Sequence, residues 1–189
     1  MKTWIHRTMK SDKDFYQTNP KMIAALFLHF NSIIRFTSVL DPCCGKHAIR
    51  NFLRVNDIGI GEFDLYPENN NFPKVDFLKY FNDGNHYDTV IMNPPYSSKY
   101  LFLDHALKCF KNIFCLLPEI SLNYNIINEK YLSMPRYWGK IKMYPKMFLH
   151  EGTEDKFGGT TCYSWLCFLE GDTDELKTEI IHNLLGDKQ

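Results

Sequence analysis

Ten residues, Tyr87-Asp88-Thr89-Val90-Ile91-Met92-Asn93-Pro94-Pro95-Tyr96, restrict the fold of this chain more than any others. Val90, Ile91 and Met92 form a short apolar run suited to a strand covered on both faces. Pro94 and Pro95 carry no backbone N–H, so strand pairing must stop at Asn93. Each proline also keeps the residue before it out of helical geometry, and the carbonyls of the turn are held in an extended path. A carboxamide, a fixed carbonyl and an aromatic ring are therefore expected together at the carboxyl end of a buried strand, the edge at which open α/β sheets bind ligands. That trio suits a planar exocyclic NH2 group, whose nitrogen lone pair is delocalised and poorly nucleophilic. The Asn93 side-chain oxygen and the Pro94 carbonyl can each accept one N–H bond, while the Tyr96 ring stacks on the flat face of the substrate.

The rest of the chain supplies the frame for such a turn. Pro20 stands at the first turn of an amphipathic helix over residues 21 to 28, with Asn19 as its cap. Ser38 to Asp41 reads as a short strand, followed by the small-residue turn Pro42-Cys43-Cys44-Gly45 and a helix over residues 48 to 53. Glycine and small side chains let a backbone approach a ligand closely, and the helix that follows offers free N–H groups. Residues 57 to 64 read as a second strand. It ends in Asp64, with Glu62 as the alternative, about 20 residues after the first turn, where α/β nucleotide sites place a ribose-binding carboxylate. Val75 to Leu78 reads as a third strand, residues 100 to 110 as a helix and 112 to 118 as a further buried strand. Strands alternating with helices imply a parallel sheet with helices on its faces. Later, Cys162 to Leu169 reads as a strand closing an antiparallel hairpin at the sheet edge, and residues 176 to 185 as a charged terminal helix.

Composition narrows the partners. Lys plus Arg and Asp plus Glu balance at 22 each, so no global basic field announces an autonomous nucleic-acid binder. Residues 119 to 150 nevertheless interleave Lys130, Arg136, Lys140, Lys142 and Lys146 with Tyr131, Tyr137, Trp138, Tyr144 and Phe148. Cations for phosphates and flat rings for bases are what a nucleic-acid groove requires; solvated lysine tips on a core strand are the plainer alternative. The six cysteines contain no Cys-x-x-Cys pair and lie mostly in apolar runs, which suits small core residues in a reducing compartment and predicts no metal site. No stretch of 18 apolar residues or signal-like start is present, so a cytoplasmic protein without a membrane anchor is expected.

Asp41-Pro42-Cys43-Cys44-Gly45 and Asn93-Pro94-Pro95-Tyr96 together resemble the cofactor-binding and catalytic motifs of S-adenosylmethionine-dependent amino-methyltransferases. The likeness covers about residues 14 to 170 and is greatest to the compact DNA adenine-N6 methyltransferases carried by phages and prophages. It implies a single Rossmann-like class I methyltransferase domain, with a seven-stranded, mostly parallel sheet, an antiparallel last strand and helices on both faces. The resemblance assigns S-adenosylmethionine to Tyr16, Thr18, Asp41, Pro42, Cys43, Gly45, Asp64, Asp76 and Phe77, and catalysis to Asn93, Pro94, Pro95 and Tyr96. It also places Phe148 against the target base, while Lys140 and Lys142 of the basic aromatic segment are the candidate substrate-binding cations. Two departures stand out: Asn19 is inserted in the Tyr16-x-Thr18-Pro pattern, and Lys46-His47 replaces the family's second glycine.

The implied activity is methyl transfer to adenine in nucleic acid, DNA in preference to RNA. Protein glutamine or RNA adenine methylation, or a catalytically silent cofactor- or nucleic-acid-binding relative, are the alternatives. A chain of zero net charge is expected to need a partner subunit or a homodimer to grip its substrate. The expected layout is a basic arm (1–14), a cofactor-binding and catalytic core (15–118), a substrate-binding segment (119–150), a terminal hairpin (151–170) and a C-terminal helix (171–189).

Overall fold

A computed structural model of the 189-residue chain describes residues 16–67, 69, 71–81, 86–122, 128–144, 161–171 and 178–183. Seven strands form one sheet: β1 (Val39–Asp41), β2 (Ile60–Glu62), β3 (Thr89–Met92), β4 (Asn112–Pro118), β5 (Tyr137–Tyr144), β6 (Tyr163–Phe168) and β7 (Thr178–Asn183). Their order across the sheet is β2-β1-β3-β4-β6-β5-β7. The first four run parallel, β6 is antiparallel to both β4 and β5, and β7 is parallel to β5. β6 is thus the single antiparallel strand.

Both faces of the sheet are covered. Helices α1 (Pro20–Phe30) and α2 (Ala48–Arg54) pack Met22, Ile23, Leu26, Phe30, Ile49 and Leu53 into one core with Ile91, Phe114, Leu116, Ile141 and Trp165. On the other face α3 (Lys99–Cys109) sets Leu103 and Ala106 among Val90, Met92, Ile113, Cys115, Leu117, Leu166 and Phe168. Period-2 alternation explains the division, since Val90 and Met92 point to one core and Ile91 to the other, all with no exposed surface. Asn19 caps α1 through its side-chain oxygen, which accepts from Lys21 N at 2.8 Å, and Pro20 starts the helix as expected. Trp165 Nε1 donates to the Met22 carbonyl at 2.9 Å and fixes that first turn to β6. The six cysteines are free thiols, with Cys44, Cys115 and Cys167 buried.

Three local expectations are corrected. Val75 to Leu78 is not a strand: Phe77–Lys79 is a 3-10 turn, because the Asp76 carboxylate accepts from Leu78 N at 3.1 Å and closes the chain on itself. Nearby, pairing amounts to one isolated bridge between Asp64 and Lys74. The strand at Tyr163–Phe168 is not at an edge, since β5 flanks it on its outer side. Thr178–Asn183 is a strand and not a helix, drawn into register beside β5 from Gly139↔Thr178 to Tyr144↔Asn183.

Candidate active site at the carboxyl edge of the sheet

Because β1 and β3 are parallel neighbours, paired Val39↔Thr89 and Leu40↔Val90, the turns that follow them leave the sheet side by side. The Cys43 thiol donates to the Asn93 backbone carbonyl at 3.3 Å, which joins the glycine turn to the proline turn. Pro94 is buried, and Pro95 and Tyr96 are half-buried, with the Pro95 carbonyl accepting from Ser98 N at 3.0 Å as the chain enters α3. The two motifs therefore share one edge, as the sequence predicted.

The Asn93 amide is held from one side. Its Nδ2 donates to the Tyr16 carbonyl at 2.7 Å and to Thr18 Oγ1 at 3.1 Å. A backbone carbonyl can only accept, so this contact fixes which end of the amide is nitrogen. Oδ1 then points the other way, buried and without a hydrogen-bond partner. An orphaned buried acceptor costs about 1–3 kcal/mol, so such a group has capacity for a donor, whether a water or a ligand N–H. Over the same turn the Tyr16 ring stacks on Tyr96, with centroids 4.5 Å apart and planes inclined by 21°. Tyr163 of β6 brings a third ring within 6.2 Å of Tyr96, and burial, followed by the nearby Tyr16, pushes its phenol up to about 12. Tyr163 was not singled out from sequence, because in a strand of alternating apolar residues an aromatic reads as core.

At the ends of β1 and β2 three carboxylates converge. Asp41 is 2% exposed, and its Oδ1 accepts from Cys43 N at 3.2 Å. Burial first, then the neighbouring Glu62 and Asp64 carboxylates, push its pKa well above the usual carboxylate range, although the Cys43 N–H opposes them. Asp64 accepts from Gly45 N at 3.1 Å and Tyr66 N at 2.8 Å, which braces the glycine turn, itself in a left-handed conformation at Gly45 (φ 47°). Glu62, the alternative acid, lies against His47 Nδ1 at 3.1 Å and Arg50 Nη1 at 3.2 Å. His47 occupies the left-handed region (φ 62°, ψ 31°) immediately before α2, the position at which the resembled motif carries glycine. Cys44, His47 and Glu62 place ligand-type atoms within 4.8 Å of one another. Both oxygens of Glu62 are already engaged by His47 and Arg50, and burial with three nearby acids pushes the Cys44 thiol far up, so the group reads as a closed ion-pair cluster and not as a metal centre.

Other predicted site residues are engaged by neighbours within the protein. Phe77 is 2% exposed and packed by Phe102, His105 and Phe110, and presents no free face to a ligand. Asp76 caps its own turn and pairs with Lys79 at 3.4 Å. Lys140 and Lys142 face Glu119, at 2.7 and 3.9 Å, and Lys140 also reaches Glu179 at 3.4 Å. Ser164 adds a hydroxyl to the same carboxylate. Lys130 is paired with Asp104 at 2.7 Å, and Arg136 donates to carbonyls at the end of α3, including Leu107 at 3.0 Å and Phe110 at 2.7 Å. Tyr131, Tyr137 and Trp138 are buried. Among the described residues, these cations and the buried rings are thus engaged at strand faces and helix ends, while Tyr144 is exposed; Lys146 and Phe148 lie outside the described residues. A pocket of about 430 Å³ opens beside Glu62, Phe63, Tyr80 and Tyr87, and another of about 500 Å³ lies away from Asn93, between Phe27, residues 31–36 and Ile58.

No family model matches the sequence, and neither does any curated protein. Solved structures do match. A type I restriction-modification methyltransferase subunit from Streptococcus thermophilus superposes with TM-score 0.59 at 15% identity, over 85% of this chain and 46% of that one. A candidate RNA methyltransferase from Pyrococcus horikoshii gives TM-score 0.60 at 14% identity, over 87% and 90%. A Thermoplasma acidophilum protein gives TM-score 0.57 at 14% identity, over 84% and 93%. The chain spans about half the length of the first of these. At such identities the likeness is one of fold: the chain has the Rossmann-like class I methyltransferase fold.

Proposed function

We propose that this chain is an S-adenosylmethionine-dependent methyltransferase acting on the exocyclic amino group of adenine in nucleic acid, DNA in preference to RNA. The observation that carries the proposal is the buried, partnerless Oδ1 of Asn93 beside a proline-stiffened turn. An acceptor preset in this way takes one N–H of an arriving amine, and the Pro94 carbonyl takes the other. With both N–H bonds engaged, the nitrogen lone pair is turned out of the ring system toward an electrophile. S-adenosylmethionine, when bound, supplies the electrophilic methyl group. Its positive charge suits the edge where Asp41, Glu62 and Asp64 crowd together, a crowding that with burial pushes the pKa of Asp41 up. Gly45, Cys43 and Asp64 are the residues proposed to hold it, with Thr18 above the site. In duplex DNA the target base must leave the stack, at a cost of a few kcal/mol that a single strand or RNA largely avoids. The names of the Streptococcus and Pyrococcus neighbours support a nucleic-acid substrate, and the former, a subunit, supports a partner for this chain.

One observation favours a second reading, a relative that has lost catalysis: His47 directs its ring onto Glu62 within the glycine turn. Calorimetric titration with S-adenosylmethionine tests cofactor binding, and methyl transfer by the loaded protein separates the two. Saturable binding is expected, and no heat at millimolar ligand would end the enzyme reading. Labelled-methyl transfer to a DNA, RNA and peptide panel then distinguishes adenine from glutamine substrates.

A further inference from the structure

The segment that precedes α1 meets the proline turn twice, through chemistry of two kinds. Backbone and hydroxyl groups of Tyr16 and Thr18 hold the Asn93 amide nitrogen, while the Tyr16 ring covers the face of Tyr96. Thr18 is 6% exposed and is followed directly by the fully buried cap Asn19, so the hydroxyl is fixed by the start of the helix. We propose that Tyr16 to Thr18 form a positioning strap: Thr18 and the Tyr16 carbonyl set the rotation of the Asn93 amide so that its oxygen faces the substrate, and the Tyr16 ring holds the stacking place that the substrate ring takes over. This rests on the reading of Asn93 and Tyr96 as the amine site, and it narrows the substrate to a flat ring bearing an NH2 group.

The two roles are physically separable. An amide that lost the Thr18 contact would keep one acceptor at Nδ2 and gain freedom to turn, presenting nitrogen in place of oxygen to the amine. Two N–H groups would then face each other, a mismatch that affects the reacting geometry more than substrate binding. The Tyr16 ring, by contrast, can rotate about its χ1 bond while the backbone carbonyl stays on Asn93 Nδ2. A planar ring entering against Tyr96 would replace one stacked pair by another at similar spacing, 4.5 Å between centroids in the present arrangement.

The test uses the full chain and Thr18→Val, Thr18→Ser and Tyr16→Ala variants, with three measurements. Quenching of a single-stranded oligonucleotide carrying 2-aminopurine reports stacking without any cofactor; side-chain amide exchange at Asn93 reports the strap; labelled-methyl transfer gives kcat and KM. Thr18→Val is expected to expose the Asn93 amide protons to exchange and to lower kcat about 10–100-fold with KM within about twofold, the size of effect that misplacing a reacting group produces. Thr18→Ser restores both. Tyr16→Ala, which keeps the carbonyl, should tighten probe binding about 5–10-fold by removing a competing stack. Unchanged amide exchange in Thr18→Val, or weaker probe binding in Tyr16→Ala, overturns the strap. If the wild type stacks the probe and responds to these substitutions but transfers no methyl group, the activity reading fails while the strap stands. Absence of any probe binding overturns both.

Discussion

His47 carries the clearest conflict between a side chain and its backbone. A left-handed conformation costs a non-glycine residue about 1–2 kcal/mol, and here the imidazole recovers part of it on Glu62 at 3.1 Å. Replacing His47 by alanine removes the contact and keeps the strain, whereas glycine removes both. His47→Gly should therefore be about 1 kcal/mol more stable than His47→Ala in urea unfolding, after allowing for the freer unfolded glycine chain. Equal stabilities would show that the backbone at this position is unstrained. At this scale much of the site was legible. Asn93, Pro94, Tyr96, Cys43 and Gly45 are placed by local geometry that prolines and glycine announce in sequence, and the structure brings their two turns to one edge. The grip of Tyr16 and Thr18 on Asn93 was not legible, because it joins residues 77 and 75 positions apart.

Elements show where a pattern of residue types was ambiguous. Lys140-Ile141-Lys142-Met143 reads equally as a basic groove and as a strand with one polar face; burial of Ile141 and Met143 decides for the strand. Its lysines meet Glu119, which continues from β4, and Glu179 of β7. Lys140→Ala should cost about 1.5–3 kcal/mol of stability, the range for hydrogen bonds to charged groups, without changing nucleic-acid affinity. A loss of affinity with unchanged stability would return Lys140 to the substrate surface. Burial tends to raise the Glu119 pKa, but hydrogen bonds from Lys140 and Ser164, with the charges of Lys140 and Lys142, outweigh it and hold the group below its ordinary value. The sign follows: a depressed carboxylate stabilises the fold fully above its ordinary titration range, and the contribution is lost as pH falls through the lower folded value. Thermal melts of Glu119→Gln should therefore differ most from wild type near neutrality and converge with it in acid. The C-terminal strand was misread for a related reason: Thr178–Asn183 is mixed in polarity, and its pairing with β5 is a tertiary event that local propensity does not encode.

Taken whole, the molecule offers a methyltransferase-fold sheet, and among the described residues the cations Lys130, Arg136, Lys140 and Lys142 of the basic aromatic segment are all committed to internal partners. Affinity for duplex DNA should then be weak and insensitive to salt. Each neutralised phosphate contributes about −0.9 to the slope of log K against log salt concentration, so a slope shallower than about −3 is expected for the isolated chain by fluorescence anisotropy. A steep slope would place a cation cluster beyond the described residues, and strengthening on addition of a second subunit would identify the missing grip. Among the described residues no helix is long and apolar enough to cross a membrane. The partnerless oxygen of Asn93 remains the atom on which the functional reading turns. Mass spectrometry of nucleosides from DNA incubated with S-adenosylmethionine and either the wild type or Asn93→Ala tests it directly. N6-methyladenine from the wild type, reduced about 100–1000-fold in a variant that still folds and still binds the cofactor, is the expected result. Full activity in Asn93→Ala, or methylation at a different atom, would contradict it.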